Sequence, residues 1–258
     1  MGTYLPGTTS ACRFRRGSLL DSGSIRSYAY SVRIAIVGAG RIGGNAARLW
    51  SRAGHDVIIC FSRHPDQLAA RAAELGDHVG AASPAQAVAD ADVVMLAVPW
   101  DAIDRALDET GSLAGKVVLD ATNQFGAGPK PAPGQTVAQF NSARLPGARY
   151  VRGFNTLTAG FQAEASSRPA DQRAVMFVCG DFPAAKDVVV KLIEDAGFAA
   201  VDLGSSAVAA VMEAPRRRGS VYGEEYRLPE ARAVAEAVHR GGEAPPARDD
   251  AREPESRS

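Results

Sequence analysis

A glycine triplet between an apolar run and a helical run sharply limits what this chain can fold into. Residues 32–37, VRIAIV, have the continuous hydrophobicity of a strand covered on both faces. Gly38, Gly40 and Gly43 follow as G-x-G-x-x-G. In such a loop the first glycine permits a tight turn, the second lets a pyrophosphate approach the backbone, and the third lets helix and strand pack closely. The pattern predicts a dinucleotide-binding loop; a glycine-rich turn in an α/β domain without a nucleotide is the alternative.

Strand-like and helix-like runs alternate beyond this loop. Helices are predicted at residues 45–53, 65–75, 101–108, 183–197 and 229–240, and apolar strands at residues 55–61, 92–100, 116–123, 149–156, 174–180 and 198–204. This order predicts the α/β class, with a doubly wound, mostly parallel sheet and a small C-terminal helical extension. The Pro/Gly-rich segment from residue 124 to about 140 is predicted to be a long loop, of a length that is usually functional or mobile.

The two ends of the chain differ from the middle in composition. Residues 1–31 are basic and Ser/Gly-rich, without the apolar stretch of a secretory signal, and are predicted to be a disordered leader. Residues 241–258 are charged and Pro-rich and are predicted to be a disordered tail. We therefore expect one nucleotide-binding domain over residues 32–240.

Charge and cysteine content limit the partners and the compartment. Lys+Arg and Asp+Glu both number 29, so nothing points to nucleic acid or an anionic membrane, and no apolar run approaches the roughly 20 residues of a bilayer span. Cys12, Cys60 and Cys179 have no metal-binding spacing, and the last two lie in apolar runs. They are predicted to be reduced thiols in a cytoplasmic protein.

The residues after the second predicted strand indicate which dinucleotide is bound. Arg63 lies 20 residues beyond Gly43 (63 − 43), where the ribose-reading residue of such a fold belongs, and Ser62 precedes it. An acid there would repel a 2′-phosphate, whereas a guanidinium and a hydroxyl can donate hydrogen bonds to it. The pair predicts NADP(H). A solvated surface arginine is the alternative, although a cation near a helix N-terminus is mildly unfavourable unless an anion joins it.

Longer stretches resemble a known family. IAIVGAGRIGGNAARLWSRAGHDVIICFSRHPDQL, VVMLAVPW, GKVVLDATN and VRGFNTL resemble the NADP oxidoreductases that use the deazaflavin coenzyme F-420, also written F420. The resemblance covers residues 32–239 and implies a Rossmann domain, a small-molecule redox partner, a homodimer, and hydride transfer between NADP(H) and the deazaflavin.

The resemblance also implies site residues. The implied cofactor contacts are Gly38, Ala39, Gly40, Arg41, Ile42, Gly43, Ser62, Arg63, Val98, Pro99, Trp100 and Asn123, and the implied substrate contacts are Phe154, Asn155 and Thr156. Two positions depart from the family pattern: Ala39 lacks a hydroxyl that the family often has, and Arg41 adds a cation where the family often has an asparagine.

Hydride transfer between two cofactor-like rings requires no acid–base triad, and we predict no catalytic side chain and no metal site. The arginines at 216–218 either meet the acidic tail of the deazaflavin or form a solvated loop. Two other functions stay open at this point. One is an NADPH-dependent reductase of another acceptor, such as a flavin, a quinone or an imine, and the other is a non-enzymatic NADP(H) sensor.

Overall fold

The computed structural model describes residues 31–247. The predicted leader lies outside the described residues except for Ser31, as does the predicted tail from residue 248 onward. Among the described residues, eight strands are formed: β1 Arg33–Val37, β2 Asp56–Cys60, β3 Val79–Ala81, β4 Val93–Leu96, β5 Val117–Asp120, β6 Arg149–Arg152, β7 Val175–Val178 and β8 Ala199–Asp202.

Helices connect and follow these strands. The α-helices of the described chain are α1 Arg41–Arg52, α2 Leu68–Leu75, α3 Pro84–Ala89, α4 Ile103–Thr110, α5 Val137–Ala143, α6 Ala159–Ala165, α7 Pro183–Asp195 and α8 Leu228–His239. Short 3₁₀ segments cover Pro65–Gln67, Trp100–Ala102, Ala170–Gln172 and Ser206–Met212.

The main sheet has six parallel strands in the order β3-β2-β1-β4-β5-β6. This order confirms the predicted doubly wound α/β fold, in which the topological switch lies between β1 and β4. β7 and β8 form a separate parallel pair, which an antiparallel bridge between Arg152 and Cys179 joins to the end of β6. The Rossmann sheet therefore stops at β6, and the predicted helical extension, α8, packs on β8.

Each face of the sheet carries its own hydrophobic core, because alternate strand residues point to opposite faces. In β1, Ala35 and Val37 belong to the core formed with α3, α4, α5 and α8, whereas Ile34 and Ile36 belong to the core formed with α1, α2 and α7. This double coverage explains why the parallel strands have continuous apolar sequences. Cys60 and Cys179 lie in these cores as free thiols, and burial raises the pKa of each to about 12.

Several predicted boundaries were wrong. α1 begins at Arg41 rather than at residue 45, because its first turn contains the glycines of the loop. The loop that was predicted to reach residue 140 ends earlier, because a capping box starts α5. In this box Thr136 Oγ1 accepts from the Gln139 backbone N–H, and the Thr136 backbone N–H donates to Gln139 Oε1. α6 and the 3₁₀ segment Ser206–Met212 were not predicted.

The predicted tail begins too early. Residues 241–247 pack against the domain, with Ala244 and Ala247 buried and the Tyr226 hydroxyl donating to the Pro245 carbonyl at 2.8 Å. The low hydrophobicity of this segment concealed its small buried alanines. No helix within the described residues is long and apolar enough to cross a membrane.

Candidate functional site

The glycine loop joins β1 to α1 as the motif predicted. A Cβ at Gly38, which has φ +109°, would lie 2.5 Å from the Ala97 carbonyl oxygen, and one at Gly43 would lie 2.0 Å from the Gly38 carbonyl oxygen. Both positions therefore require glycine for packing. A Cβ at Gly40 meets nothing within 4 Å, so the space above this residue is open to a ligand. The loop fits a dinucleotide pyrophosphate by this test.

The N-terminus of α1 opens into the same space. Gly40 is its N-cap and has no side chain that could cap the helix. The backbone N–H groups of the first turn are therefore available to bind an anion. Arg41 is exposed at the first helical position, Ala39 is half-buried, and Ile42 packs against the core beside α1. The structure thus places the predicted loop residues around one concave turn.

The end of β2 carries the predicted phosphate-reading residues. Phe61 adopts φ +56°, a left-handed conformation that is rare for a bulky residue and that clusters at ligand sites. Ser62 follows, and its Oγ accepts from the His64 amide at 3.1 Å, which closes a small turn. Arg63 is exposed on that turn. We call residues 38–43 together with Ser62 and Arg63 the glycine edge.

The segment after β4 contains three of the implied cofactor contacts. Val98 is buried against the glycine loop, and Pro99 is exposed. Trp100 is only 2% exposed: its Nε1 donates to the Pro129 carbonyl at 2.8 Å and its ring stacks on Phe140 at 5.9 Å. Trp100 therefore anchors the long loop, and direct contact between its indole and a cofactor stays a prediction.

Two predicted residues meet at the carboxyl ends of β5 and β6. Asn123 Nδ2 donates to the Asn155 carbonyl at 2.9 Å, and Asn155 Nδ2 donates to the Asn123 Oδ1 at 3.3 Å and to the Met212 carbonyl at 2.7 Å. The Asn155 Oδ1 is buried and has no hydrogen-bond partner within the described chain. The amides of these two asparagines thus lie together at the carboxyl ends of the strands, the edge of the sheet where ligands bind.

A buried charged network that the sequence reasoning missed supports this pair. Asp120 and Arg152 are both 0% exposed, and Arg152 NH1 lies 3.2 Å from Asp120 Oδ2. The same oxygen accepts from Tyr150 OH at 2.5 Å and from Asn141 Nδ2 at 2.8 Å. Arg152 NH2 donates to the Thr122 carbonyl and to Asn123 Oδ1. We call Asp120, Asn123, Arg152 and Asn155 the amide edge.

Burial and charge fix the protonation of this network. Burial, reinforced by the Asp120 carboxylate, raises the pKa of Tyr150 well above its ordinary value, so the phenol stays neutral and donates. Burial, the largest single influence, would lower the pKa of Arg152, but Asp120, Tyr150, Glu213 and Cys179 together outweigh it and the net shift is upward. A signal was present in the sequence, because a charged residue inside an apolar strand is rarely buried without a partner.

Phe154 and Thr156, the other two implied substrate contacts, are both buried. Phe154, at φ +58°, turns its ring into the core, where it meets Trp50 edge-on at 5.3 Å. Its side chain is 1% exposed, and its direct contact with a substrate stays a prediction. Thr156 is buried, and its carbonyl accepts from the Gly223 amide at 2.8 Å. That bond brings residues 221–224 beside the amide edge.

An aromatic pair lies next to the amide edge. Phe125 is 56% exposed, and its amide donates to the Asn123 carbonyl at 2.9 Å. Its ring meets the half-buried Tyr222 edge-on, with 6.3 Å between ring centroids. Exposed phenylalanines are ordinary when scattered singly, but this one stands where two elements converge on the candidate site. No sequence signal pointed to either residue.

The arginine cluster at 216–218 is mostly occupied by the chain itself. Arg216 pairs with Glu224, and Arg217 donates to the carbonyls of Ala210 and Glu213. Arg216 also packs near Gly223, next to Tyr222. Together with Tyr226, Glu243 and Ala244, the cluster lines a cavity of about 400 Å³. Arg218 is exposed at its rim.

The site as a whole offers binding and orientation. Within residues 31–247 there is no group of three or more His, Cys, Asp or Glu side chains arranged to hold a metal ion. Of the histidines, His55 is buried, with Nδ1 accepting from the Val32 amide and Nε2 facing Asp195 at 3.2 Å. His64, His78 and His239 are exposed.

Comparison with known proteins gives this arrangement a family. Residues 33–124 match the family model described as NADP oxidoreductase, coenzyme F420-dependent. A hypothetical protein from Sinorhizobium meliloti is similar in structure, with a TM-score of 0.67 and 32% identity over 76% of this chain and 95% of its own. A protein from Arthrobacter sp. FB24, proposed to be an F420-dependent NADP reductase, has a TM-score of 0.58 and 29% identity over 69% of this chain and 87% of its own.

Curated relatives match the same region. Metalloreductase STEAP3 of Rattus norvegicus is 26% identical over 183 residues, which are 70% of this chain and 36% of that protein. The chain thus spans about a third of the length of the curated relatives it matches. By its match to the family model and its 32% identity to the Sinorhizobium meliloti protein, which it covers almost entirely, the chain belongs to the F420-dependent NADP oxidoreductase family and has its Rossmann-type fold.

Proposed function

We propose that this chain transfers a hydride between NADP(H) and the deazaflavin coenzyme F420, with the acceptor ring resting against Phe125 and Tyr222. One observation carries the proposal: the aromatic pair stands beside the Asn123–Asn155 amides, at the sheet edge that also holds the glycine loop. An exposed aromatic surface next to a dinucleotide site suits a planar, polycyclic acceptor, since aromatic rings stack in offset or edge-on arrangements. The family description supports the same acceptor.

Each end of the site has a defined task under this proposal. The glycine edge binds the cofactor through backbone N–H groups, and Ser62 and Arg63 donate to its 2′-phosphate. The bound NADP(H) supplies the hydride chemistry itself. The amide edge presents side-chain amides whose orientation is fixed by the hydrogen bonds from Arg152 and between Asn123 and Asn155. Such fixed groups accelerate a reaction by positioning, without proton transfer to the protein.

Arg218 is the arginine that we assign to the acidic tail of the acceptor. Arg216 is held by Glu224 and Arg217 by backbone carbonyls, whereas Arg218 is exposed and lines the same cavity. Arg218→Glu is expected to raise the KM for F420 and to leave the KM for NADPH unchanged. Unchanged kinetics with F420 would remove Arg218 from the site.

Reduction of a different acceptor is the second candidate function. The observation that favours it is the similarity to proteins named metalloreductases, over 70% of this chain. A ferric chelate, a flavin, a quinone and an imine therefore belong in the same assay. NADPH binding without turnover on any of these acceptors would instead support a sensor.

The deciding experiment follows F420 reduction by its absorbance with NADPH and with NADH. We expect turnover with NADPH, and Phe125→Ala is expected to raise the KM for F420 about 3- to 10-fold, the loss of one aromatic contact of about 0.5–1.5 kcal/mol. Phe182→Ala is the matched control, because Phe182 is the other exposed large hydrophobic side chain of the described residues and lies at the start of α7. Absence of F420 turnover, with turnover on another acceptor, contradicts the proposal.

A further inference from the structure

A side chain from α4 reaches the end of β2. The guanidinium carbon of Arg105 lies 4.8 Å from the centroid of the Phe61 ring. Arg105 is exposed and is the single basic residue of α4, whose sequence is IDRALDET. Phe61 is the left-handed residue that immediately precedes Ser62 and Arg63. The contact therefore brings a third guanidinium-bearing element to the glycine edge.

The sheet order gives this contact its position. β1 separates β2 from β4, and α4 follows β4, so the contact between Arg105 and Phe61 spans the position of β1. Phe61 packs against the same core as α4. The crevice outside the carboxyl ends of the strands at this switch point is where a dinucleotide lies in folds of this type. Arg105 and Phe61 together cover the part of the crevice nearest Arg63.

We propose that Arg105 is a further cofactor-binding residue, whose guanidinium stacks on the adenine ring of NADP(H). The proposal rests on the assignment of NADP(H) to the glycine edge. With the pyrophosphate at the loop after β1 and the 2′-phosphate at Arg63, the adenosine extends along the end of β2, next to Phe61. A planar guanidinium stacks on aromatic faces, and the exposed Arg105, already resting on the half-buried Phe61 ring, can stack on adenine as well.

The alternative roles of Arg105 have different signatures. If Arg105 binds the 2′-phosphate by its charge, its removal weakens the binding of NADP⁺ but not of NAD⁺, and a lysine restores that binding in part. A residue that stacks on adenine affects both dinucleotides to the same degree, and a lysine replaces it poorly, because the ammonium has no planar face. A residue that only stabilises Phe61 affects neither.

Calorimetric titration of the full chain with NADP⁺ and NAD⁺ separates these roles. Arg105→Ala is expected to weaken both dinucleotides by a similar factor of about 5, and Arg105→Lys is expected to weaken them nearly as much. Arg232→Ala is the matched control: Arg232 is an exposed arginine on α8, and its removal changes the net charge equally. The control is expected to bind like the unchanged protein.

Two results would overturn the proposal. One is unchanged affinity in Arg105→Ala, and the other is a loss confined to NADP⁺ that Arg105→Lys restores. If the unchanged protein binds neither dinucleotide, the NADP(H) assignment itself is wrong and this proposal fails with it. The test does not depend on the acceptor, so its result is independent of whether F420 is the substrate.

Discussion

The glycine edge and the amide edge lie side by side on one sheet, yet they are built in opposite ways. The glycine edge offers backbone N–H groups and the exposed side chains of Arg41 and Arg63, whereas Asp120 and Arg152 at the amide edge are 0% exposed and pair with each other. Exposed groups can change with little effect on folding, but a buried charge that loses its partner is costly. The difference predicts that exposed groups such as Arg63 can be changed with little loss of stability, whereas changes at Asp120 or Arg152 lower it.

The largest effect is expected when the buried Asp120 carboxylate is removed. Asp120→Ala leaves Arg152, Tyr150 and Asn141 without a shared acceptor and is expected to lower the free energy of unfolding by about 3–5 kcal/mol. Chemical denaturation measures this free energy for the unchanged protein and for the variant. Glu74→Ala, which removes the exposed ion pair with Arg71, is the control and is expected to cost less than about 1 kcal/mol. Similar values for the two variants would show that the amide edge is no more sensitive than the surface.

Two glycines of one loop sharpen the contrast within the glycine edge. Gly43→Ala places a Cβ 2.0 Å from the Gly38 carbonyl oxygen and is expected to cost about 1–3 kcal/mol of stability. Gly40→Ala meets no protein atom within 4 Å and is expected to cost less than about 1 kcal/mol, while NADPH affinity falls on the order of tenfold. Thermal unfolding and NADPH titration report the two effects. Undiminished NADPH affinity in Gly40→Ala would place the pyrophosphate elsewhere.

A smaller effect is expected at Trp100, which follows β4, the strand between the two edges. Trp100→Phe removes the hydrogen bond to the Pro129 carbonyl and is expected to cost about 0.5–1.5 kcal/mol. Amide hydrogen exchange should increase in residues 124–136 and stay unchanged in α1. If exchange instead rises at the glycine edge, Trp100 supports the cofactor loop rather than the long loop.

The smallest expected effect concerns the opposite ends of the strands. Burial lowers the pKa of His55 despite the nearby Asp195 carboxylate, so His55 is neutral in the folded protein. Its contribution to stability is full above pH 6.5 and is lost as the pH falls from 6.5 through the lower folded value. Unfolding measured between pH 8 and pH 5 should show a shallower loss in His55→Gln than in the unchanged protein. The exposed His78, replaced in the same way, should keep the original slope.

The glycine edge could be predicted from the sequence, whereas the amide edge could be predicted only in part, and the reason is distance along the chain. Gly38, Gly43 and Arg63 follow local rules of turn geometry and fixed spacing. Asn123 and Asn155 were predicted as site residues, but their contact joins positions 32 residues apart and depends on the pairing of β5 with β6. Asp120 and Arg152 were missed because a strand-like run was interpreted by its hydrophobicity alone.

The packing of two aromatic residues could not be predicted from the sequence. Trp100 and Phe154 are each buried by contacts between distant parts of the chain, with Pro129 and Phe140 for the first and with Trp50 for the second. Their predicted contacts with ligands stay predictions. The late start predicted for α1 has a local cause, since glycine disfavours helices and the motif glycines lie in the first turn. Tertiary contacts overrode that preference.

The most direct test of the account is the affinity of the full chain for NADP⁺ and NAD⁺, measured by calorimetry before and after Arg63→Ala. A guanidinium bound to a phosphate contributes about 1.5–3 kcal/mol, so NADP⁺ is expected to bind at least about 10-fold more tightly than NAD⁺, and the variant is expected to lose most of that preference while its stability is unchanged. Equal affinity for the two dinucleotides, or a preference that persists without Arg63, would contradict the assignment of the glycine edge to the 2′-phosphorylated cofactor.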